Sequence, residues 1–381
     1  MCHHHRFFGT QQLVIEMKIV VLVSSMENGG AERVASTLAN YWAGKGVGVA
    51  VVPTFPGKGG CFYDLYESVR LVYLTDLLRT GSPNGVLGYL RRLLCLRQFV
   101  IEERPDVILS FLPNVNIMTL LATIGIKGRK IICERTDPFV MPVPWALKVA
   151  RRAVYPLADI LVVQTEAVAK KVRRHWGLES KIAIIGNPIP NDLLSVTRKP
   201  VLRRNKTLLA VGRLSEEKGF LLLVTLFSRL VVSHPEWVLR IVGDGPLRGA
   251  LEEVIHATGV ERKVELVGQV RDVENEYLLA DAFVLSSRYE GFPNALLEAM
   301  AVGLPCVSFD CPSGPYEITN GGRAAVLVPP DDAEGMLEAL KIFLADESLR
   351  HGLSREARPF VAERFSIGSI AAKWESLMVE P

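Results

Sequence analysis

The segment AFVLSSRYEGFPNALLEAMAVGLPCVSF, residues 282–309, has the pattern of two buried strands joined by a helix. Apolar runs at Ala282–Ser286 and Pro305–Phe309 have the length and composition of strands that are buried on both faces. Between them, Pro293 suits the first helical position, because its ring presets φ and its missing N–H would have no partner there. Gly303 suits the residue that ends such a helix. The order strand, helix, strand predicts two parallel strands with a crossover helix.

The same alternation recurs along most of the chain, on both sides of the segment 186–206. That segment has three prolines and no helical period, which predicts a linker. The predicted strands are Lys18–Ser24, Gly48–Phe55, Val69–Leu74, Asp106–Leu112, Lys130–Cys133, Ala158–Thr165, Lys181–Gly186, Thr207–Gly212, Trp237–Val242, Lys263–Val267, Ala282–Ser286, Pro305–Phe309 and Ala324–Val328. We therefore predict an α/β protein of two doubly wound, Rossmann-like units facing a cleft, with ligands bound beyond the carboxyl ends of the strands.

The composition excludes several classes of protein. With 49% hydrophobic and 22% charged residues among 381, the chain has the balance of a globular enzyme. No apolar stretch reaches the roughly 18 residues of a spanning helix, and the N-terminus lacks the cleavage pattern of a signal peptide. Six cysteines show neither a CxxC pair nor zinc spacing, so we expect reduced thiols in a cytoplasmic protein. Residues 1–16, with three histidines, are expected to be a disordered extension rather than a metal site.

The two halves of the chain differ in charge, although the net charge is only +3. Residues 1–190 carry 23 Lys and Arg against 14 Asp and Glu, or +9. Residues 191–381 carry 21 against 27, or −6. A basic half of this kind predicts a polyanionic partner or a membrane surface.

Glycines follow two of the predicted strands. Gly29 and Gly30 come before a helix, where they would let a backbone approach an anionic ligand; a plain tight turn is the alternative. Gly243, Gly245 and Gly249 form GxGxxxG. Because this motif follows the second strand of its unit, we expect close helix–strand packing there rather than a nicotinamide site.

Two cations, Arg213 and Lys218, follow the first strand of the second half. At the carboxyl end of a strand, such a pair suits a diphosphate. A solvated loop in which they pair with Glu216 and Glu217 is the alternative.

The predicted helix after Pro293 has an unusual start. Its first backbone N–H groups have no partner within the helix, and such groups attract anions. They belong to Asn294, Ala295 and Leu296. Phe292 stands where a capping Ser, Thr or Asp would be expected, so we expect a ligand to satisfy these donors. Glu290 precedes the helix and should project into the cleft, and Glu298 lies in the second turn.

Three motifs carry a family resemblance. EGFPNALLE, residues 290–298, resembles the E-x7-E signature of retaining glycosyltransferases of family 4, which have the GT-B fold. GRLSEEKG, residues 212–219, resembles their diphosphate-binding loop, and GGAERV, residues 29–34, resembles their N-terminal glycine loop. SFLPNVNI and CERTDP further resemble the bacterial branch that adds hexoses or N-acetylhexosamines to cell-surface or lipid-linked glycans. The resemblance covers nearly the whole chain from Met17.

The resemblance implies a role for each matching residue. Arg213 and Lys218 would hold the donor diphosphate as catalytic cations, Glu290 would face the donor sugar as a third catalytic residue, and Glu298 would bind the ribose hydroxyls. The other residues implied in donor binding are Gly29, Gly30, Gln269, Val270, Gly291, Phe292, Asn294, Ala295 and Leu296. Glu134 and Arg135 are the acceptor-side candidates. The chain has no DxD motif, so we expect neither an essential metal nor a cofactor.

We therefore predict a retaining glycosyltransferase that moves a hexose or N-acetylhexosamine from a nucleotide-diphosphate sugar, expected to be UDP-linked, to a glycan or lipid-linked glycan. The rival functions are a GT-B-fold epimerase or phosphorylase and a non-catalytic two-domain sugar-binding protein. The predicted domains are 1–190 on the acceptor side, 191–365 for the nucleotide-sugar, and a helix at 366–381 that crosses back. No nucleic-acid partner is expected.

Two basic stretches predict contact with an anionic membrane surface, namely residues 85–104 and 145–174. Leu90, Leu93, Leu94, Arg97 and Ile101 lie near helical spacing in the first, and Trp145, Val149 and Tyr155 lie among Lys148, Arg151 and Arg152 in the second. Apolar side chains mixed with Arg and Lys suit a helix that lies in the lipid headgroup layer. The alternative is that the apolar residues belong to the core of the domain. We expect peripheral binding at the inner face of the cell membrane, without a spanning segment.

Overall fold

Two parallel sheets organise the protein. The computed structural model describes residues 17–27, 29–55, 60–78, 85–140, 143–196 and 205–379, so the predicted extension at 1–16 lies outside the described residues. The first sheet consists of β1 Lys18–Val23, β2 Gly48–Pro53, β3 Val69–Leu71, β4 Val107–Phe111, β5 Arg129–Cys133, β6 Ile160–Val163 and β7 Ile182–Ile184. The second consists of β8 Lys206–Val211, β9 Trp237–Val242, β10 Val264–Gly268, β11 Ala282–Leu285, β12 Cys306–Phe309 and β13 Val326–Val328.

Both sheets have the doubly wound strand order. The seven-stranded sheet runs β3-β2-β1-β4-β5-β6-β7, and the six-stranded sheet runs β10-β9-β8-β11-β12-β13. The central strands are apolar and buried on both faces; every residue of β4 is buried, for example. Burying one such Val, Ile, Leu or Phe side chain contributes about 1.5–3 kcal/mol, which is why these runs form interior strands. The prediction of two doubly wound α/β units is confirmed.

Helices cover both faces of each sheet. The helices up to the end of the linker are α1 Gly30–Gly44, α2 Val86–Glu103, α3 Pro113–Ala122, α4 Trp145–Val154, α5 Glu166–Trp176 and α6 Asn191–Ser195. The later helices are α7 Phe220–Leu230, α8 Arg248–Thr258, α9 Val273–Leu279, α10 Asn294–Ala301, α11 Pro315–Ile318, α12 Ala333–Ala345, α13 Glu347–Phe365 and α14 Ile367–Met378. We call residues 17–184 with α14 the first unit, and residues 206–365 the second unit.

The ends of several elements differ from the predictions. Helix α10 begins at Asn294, and Pro293 is its N-cap in an extended conformation with ψ of 94°, not its first helical residue. The predicted linker contains the short helix α6, because Asn191–Ser195 forms one turn after Pro190. Residues 197–204 of that linker lie outside the described residues.

The chain crosses between the units twice, and the two crossings lie side by side. The first crossing follows β7 and the second joins α13 to α14. The N–H of Ile189 donates to the carbonyl oxygen of Phe365 at 2.7 Å, which ties one crossing to the other. Helix α14 then packs on α1, and Lys45 reaches Glu375 at 3.2 Å. The domain limits at residues 190 and 365 stay a prediction.

Glycines bring the loops of the second unit close together. Gly243 has φ of 139°, and a Cβ there would lie 1.9 Å from the carbonyl oxygen of Gly212. A Cβ at Gly245 would lie 2.5 Å from the carbonyl oxygen of Leu214. Gly243 and Gly245 thus allow the loop after β9 to contact the loop after β8, whereas a Cβ on Gly249 in α8 would have no neighbour within 4 Å, so the close packing is between loops and not between helix and strand as predicted.

Candidate active site

A pocket lies between the two units, beyond the carboxyl ends of their strands. Thr136, Asp137 and Val140 of the first unit form one wall. The opposite wall belongs to the second unit and consists of Glu217, Lys218, Tyr289, Glu290, Gly291 and Pro312. The empty space is about 550 Å³ and opens to solvent. The position is the one at which doubly wound sheets bind ligands.

Lys218 and Glu290 meet in this pocket. The Lys218 ammonium lies 2.6 Å from the Glu290 carboxylate, and the hydroxyl of Ser287 donates to the same carboxylate oxygen at 2.7 Å. Gly219 makes the approach possible: it has φ of 68°, and a Cβ there would lie 2.2 Å from the carbonyl oxygen of Ser286. The loop after β8 therefore packs directly on the end of β11, which brings a cation and an acid from separate loops together.

Arg213 lies in the same loop as Lys218, but it is solvent-exposed. Within the described part of the chain it forms no ion pair, so its guanidinium is available to an anion. The adjacent backbone is held in place, because the N–H of Leu214 donates to the carbonyl oxygen of Asp244 at 3.0 Å. Lys218 pairs with Glu290 and not, as in the alternative given above, with its sequence neighbours Glu216 or Glu217.

Glu298 is engaged by side chains from both units. Its Oε1 accepts from Arg33 of α1 at 2.5 Å, and its Oε2 accepts from the hydroxyl of Tyr277 in α9 at 3.1 Å. The Glu298 carboxylate raises the pKa of the Arg33 guanidinium above its ordinary value. Burial, and then Glu298, raises the pKa of Tyr277 well above its ordinary value, so Tyr277 remains a hydrogen-bond donor. Neither Arg33 nor Tyr277 was predicted to be a site residue, although Arg33 lies within the GGAERV motif.

Asn187 joins the two units through a buried hydrogen-bond network. Its Oδ1 accepts from Arg135 and, at 2.6 Å, from Gln164 of the first unit. Its Nδ2 donates to Asn294 Oδ1 at the start of α10, at 2.5 Å. A Cβ at Gly30 would lie 3.5 Å from Asn294 Nδ2, so the glycine loop also reaches this point. Asn187 was missed because it falls in the segment predicted to be only a linker.

Gly291 forms a second contact between the units. A Cβ at this position would lie 2.0 Å from the carbonyl oxygen of Arg135 and 3.0 Å from Gln164 Oε1. The residue therefore has to be glycine for the loop after β11 to touch the loop after β5. The carbonyl oxygen of Gly291 also accepts from Ser313, whose hydroxyl lies 3.0 Å from that of Thr165. Arg135, Gly291 and Asn294, three of the predicted site residues, thus lie together.

Glu134 does not line the pocket. Its side chain is 0% exposed and is held inside the first unit by Arg151, 3.3 Å away, and by the hydroxyl of Tyr155. Burial raises the pKa of the Glu134 carboxyl, and the positive charge of Arg151 opposes this shift. Asn116 donates to the hydroxyl of Tyr155 at 3.3 Å and extends the buried polar cluster. This geometry leaves Glu134 no surface to offer an acceptor.

Asp137, three residues further on, lines the pocket, although its side chain is only 3% exposed. Its Oδ2 accepts from Lys171 at 2.6 Å, and its Oδ1 accepts from the N–H of Phe139 at 2.9 Å. Phe139 packs against the rings of His175 and Trp176, with centroids 4.8 Å and 5.4 Å away. The quoted CERTDP motif includes Asp137, but its sequence pattern does not indicate which of its charged residues faces the cleft.

The other predicted donor-binding residues surround the start of α10 and the end of β10. Phe292 is buried against Phe365, with ring centroids 5.5 Å apart, and Leu296 is fully buried, so only their backbones could meet a ligand. Helix α10 has no side-chain cap at its N-terminus, as its sequence predicts. Gln269 is exposed just beyond β10, and Val270 packs partly into the core. Gly29 is the N-cap of α1 and contributes its carbonyl oxygen to Tyr63 at 3.0 Å.

Within the described ranges, no three His, Cys, Asp or Glu side chains come together in a way that could hold a metal ion. None of the helices described above combines the length and the apolar composition that crossing a bilayer requires.

Two family models match successive parts of the chain. Residues 28–193 match the family model described as Glycosyltransferase Family 4, and residues 197–360 match the model described as Glycosyl transferases group 1. The Campylobacter jejuni alpha-1,4-N-acetyl-D-galactosaminyltransferase that acts on a GalNAc-GalNAc-diNAcBac-PP-undecaprenol is 27% identical over 96% of this chain and 99% of its own length. An exopolysaccharide phosphotransferase of Streptomyces coelicolor is 29% identical over 96% of this chain, but the chain spans only 41% of that protein.

Solved structures agree on the fold. The Anabaena protein HepE, crystallised in complex with UDP, superposes with a TM-score of 0.79 at 18% identity and covers 94% of this chain and 99% of its own. Two family models together span both units of this chain, and the strand order of each sheet is that of a Rossmann-like domain. This chain is therefore a glycosyltransferase of the GT-B type, related to enzymes of bacterial polysaccharide biosynthesis.

Proposed function

We propose that this protein transfers a hexose or N-acetylhexosamine from a UDP-linked donor to a glycan or lipid-linked glycan, with retention of the donor's anomeric configuration. The observation that carries the proposal is the pocket, which brings Lys218 and Glu290 of the second unit opposite Asp137 of the first. The UDP bound by HepE supports the donor class, and the undecaprenol-linked substrate of the Campylobacter relative supports the acceptor class.

The donor diphosphate would bind between the loop after β8 and the start of α10. Lys218 and Arg213 supply positive charge from that loop, and the uncapped N-terminus of α10 supplies backbone donors. Negative charge grows on the diphosphate as the sugar leaves, and cations fixed in advance stabilise this charge without reorganising. These groups would take the place that a divalent metal occupies in other transferases.

The two glutamates of the E-x7-E motif would hold opposite ends of the donor. Glu298 would accept hydrogen bonds from the ribose hydroxyls, while Gln269 and Val270 would border the base at the end of β10. Glu290 would accept a hydrogen bond from the donor sugar, because its other contacts, Lys218 and Ser287, leave lone pairs free. A carboxylate that accepts from a neutral hydroxyl makes a bond about twice as strong as a neutral pair.

The acceptor would enter from the side of the first unit. Asp137 is the acidic residue among those of this unit that line the pocket, and Lys171 and the N–H of Phe139 hold its carboxylate in one orientation. An acceptor hydroxyl that donates to Asp137 would be placed opposite the donor sugar, and such positioning is itself a large part of catalysis. We therefore assign the acceptor side to Asp137 and give Glu134 a structural role.

We further propose that the first unit binds anionic lipid at the cytoplasmic face of the membrane. On α4, Trp145 is 77% and Val149 57% exposed, and the cations Lys148 and Arg152 are exposed beside them. On α2, exposed apolar side chains follow one face of the helix: Val86, Leu87, Leu90, Leu94 and Ile101. Helix α3 packs against both, so the two faces belong to one side of the unit. Apolar and cationic side chains together suit the headgroup layer, where each cation adds about 1 kcal/mol.

A donor screen tests the proposed activity. Purified protein would be incubated with UDP-, GDP- and ADP-linked hexoses and N-acetylhexosamines, with and without a short lipid-linked glycan, and release of free nucleoside diphosphate would be measured. We expect release from one UDP-sugar that depends on the acceptor and persists in EDTA. Release that requires inorganic phosphate, or conversion of the donor without any acceptor, would instead identify a phosphorylase or an epimerase.

A further inference from the structure

The pair Arg33–Glu298 is the feature of the cleft that the proposed roles leave unexplained. Arg33 lies in the first turn of α1, in the first unit, and Glu298 lies in α10 of the second, 265 residues away along the chain. Their side chains are 24% and 6% exposed, so the contact is largely shielded from water. The residue proposed to hold the ribose thus also forms an ion pair between the two units.

The polar groups near Arg33 have other partners, so its guanidinium pairs with Glu298. The adjacent acid, Glu32, is turned away, since its carboxylate accepts from the Ser24 hydroxyl at 3.0 Å. Tyr63, also near Arg33, donates its hydroxyl proton to the carbonyl oxygen of Gly29. Glu298 receives one hydrogen bond on each oxygen, from Arg33 and from Tyr277. A carboxylate has roughly four acceptor positions, so about two remain for a ligand.

Burying a charged carboxylate costs free energy unless a cation is paired with it, and Arg33 is the cation that pairs with Glu298. Arg33 removes this cost, and Tyr277 fixes the second oxygen, so the free lone pairs of Glu298 keep one direction. Two oxygens with a fixed direction match two adjacent hydroxyls, such as those of a ribose.

We infer that Arg33 is a positioning residue: when the units close, it orients Glu298 toward the 2′- and 3′-hydroxyls of the donor ribose, and so makes closure selective for ribonucleotides. This inference rests on the proposed UDP-linked donor. Arg33 acts through Glu298 and need not touch the nucleotide itself. Its loss should therefore reduce the contribution of the ribose hydroxyls to binding more than the contribution of the diphosphate.

Binding of UDP and of 2′-deoxy-UDP to the full-length protein separates these contributions. Titration calorimetry would compare the wild type with Arg33→Gln and Arg33→Lys. Lys45→Gln is the matched control, because it removes the Lys45–Glu375 pair between α1 and α14, away from the pocket. We expect the wild type and the control to prefer UDP by about 10- to 100-fold, the factor for one hydrogen bond to a charged group. In Arg33→Gln this preference should fall to less than about threefold, and 2′-deoxy-UDP, which keeps the 3′-hydroxyl, should lose less affinity than UDP does.

Each result decides the matter. An unchanged preference for UDP in Arg33→Gln would overturn the positioning role, and so would tighter UDP binding, which would mean that Arg33 competes with the nucleotide for Glu298. Should Arg33→Gln fail to fold, Tyr277→Phe removes only the hydrogen bond to Oε2 and should reduce the same preference by a smaller factor. A folded wild type that binds neither nucleotide would overturn the UDP donor as well as this inference, whereas UDP binding with no preference would overturn the inference alone.

Discussion

The Lys218 ammonium and the Glu290 carboxylate lie 2.6 Å apart, although the two residues belong to loops after different strands. Each neutralises the charge of the other at the wall of the pocket. A diphosphate that approaches Lys218 would draw it from Glu290, and the released carboxylate could then accept from a sugar hydroxyl. Binding of the diphosphate and binding of the donor sugar would thus be coupled through the Lys218–Glu290 ion pair.

Removing a cation from this loop should slow turnover. We expect Lys218→Ala and Arg213→Ala each to lower kcat by about 10²–10³, the usual loss for one fixed group that stabilises transition-state charge. The rate of UDP release at saturating donor measures this. Lys341→Ala, which breaks an exposed pair with Glu338 on α12, is the control and should behave as the wild type. A near-normal kcat in the two loop variants would remove them from the catalytic machinery.

Asp137→Asn should affect the acceptor and leave the donor alone. The amide keeps the shape of the side chain but loses the charge that strengthens a bond to a hydroxyl. We expect KM for the acceptor to rise about tenfold or more, while the affinity for UDP stays within about twofold. The reverse pattern, with weakened UDP and an unchanged acceptor KM, would place Asp137 on the donor side.

The stereochemistry of the product tests the family's mechanism directly. The resemblance to retaining enzymes implies that the new glycosidic bond has the anomeric configuration of the donor. Proton NMR of the product, recorded before any anomeric equilibration, should show one anomer with the donor's coupling constant. An inverted product would contradict the proposed mechanism, even if UDP release were normal.

Membrane binding should depend on α4. We expect the wild type to float with vesicles that contain anionic lipid at low salt and to be released at high salt, because salt screens exposed charges. The double variant Lys148→Gln, Arg152→Gln should have a partition coefficient roughly 30-fold lower, because it loses two cations that each contribute about 1 kcal/mol to binding at the lipid surface. Val232→Ser is the control, since Val232 is 83% exposed but belongs to the second unit. Equal binding to neutral vesicles would contradict the proposed surface.

Arg151→Met should destabilise the first unit, since it leaves Glu134 buried without its cation. Breaking a buried pair from one side costs about 3–5 kcal/mol. Arg152→Met, at the exposed neighbouring position, should change the free energy of unfolding by no more than about 0.5 kcal/mol. Urea denaturation of both variants provides the comparison.

The destabilisation by Arg151→Met should also depend on pH. Burial raises the pKa of Glu134, so the folded variant can relieve the lost pair by taking up a proton. A carboxyl whose pKa is higher in the folded than in the unfolded protein stabilises the folded state at pH values below its unfolded pKa of about 4.3. This contribution to stability is lost as the pH rises through the folded pKa. The deficit relative to the wild type should therefore be largest near neutral pH and shrink toward pH 4.5. A deficit independent of pH would show that packing, not charge, is what Arg151 contributes.

The local pattern of apolar, polar, glycine and proline residues predicted the strands and most helices. It could not predict the contacts between the two units. The apolar composition of Ala282–Ser286 is enough to predict that this strand is buried. The partner of Glu298, in contrast, depends on how α1 and α10 pack against each other. Arg151 and Arg152 illustrate the same limit within one helix. Both lie in WALKVARRAVYP, and only the packing of α4 decides that Arg151 turns inward to Glu134. The burial of Glu134 could not be predicted for the same reason.

The two neighbouring chain crossings have a mechanical consequence. Because Ile189 is hydrogen-bonded to Phe365, we expect the two crossings to move together, so that separation of the units would be a rotation about an axis near these residues. Phe292 packs against Phe365, and a Cβ on Gly186 would lie 2.8 Å from the ring of Phe292. The part of the loop that contains Phe292 therefore lies close to the axis. Displacement grows with distance from an axis of rotation. The peptide that leads into α10 would therefore stay near the first unit as the enzyme opens, and product could leave from the distant edge while the donor loop keeps its place.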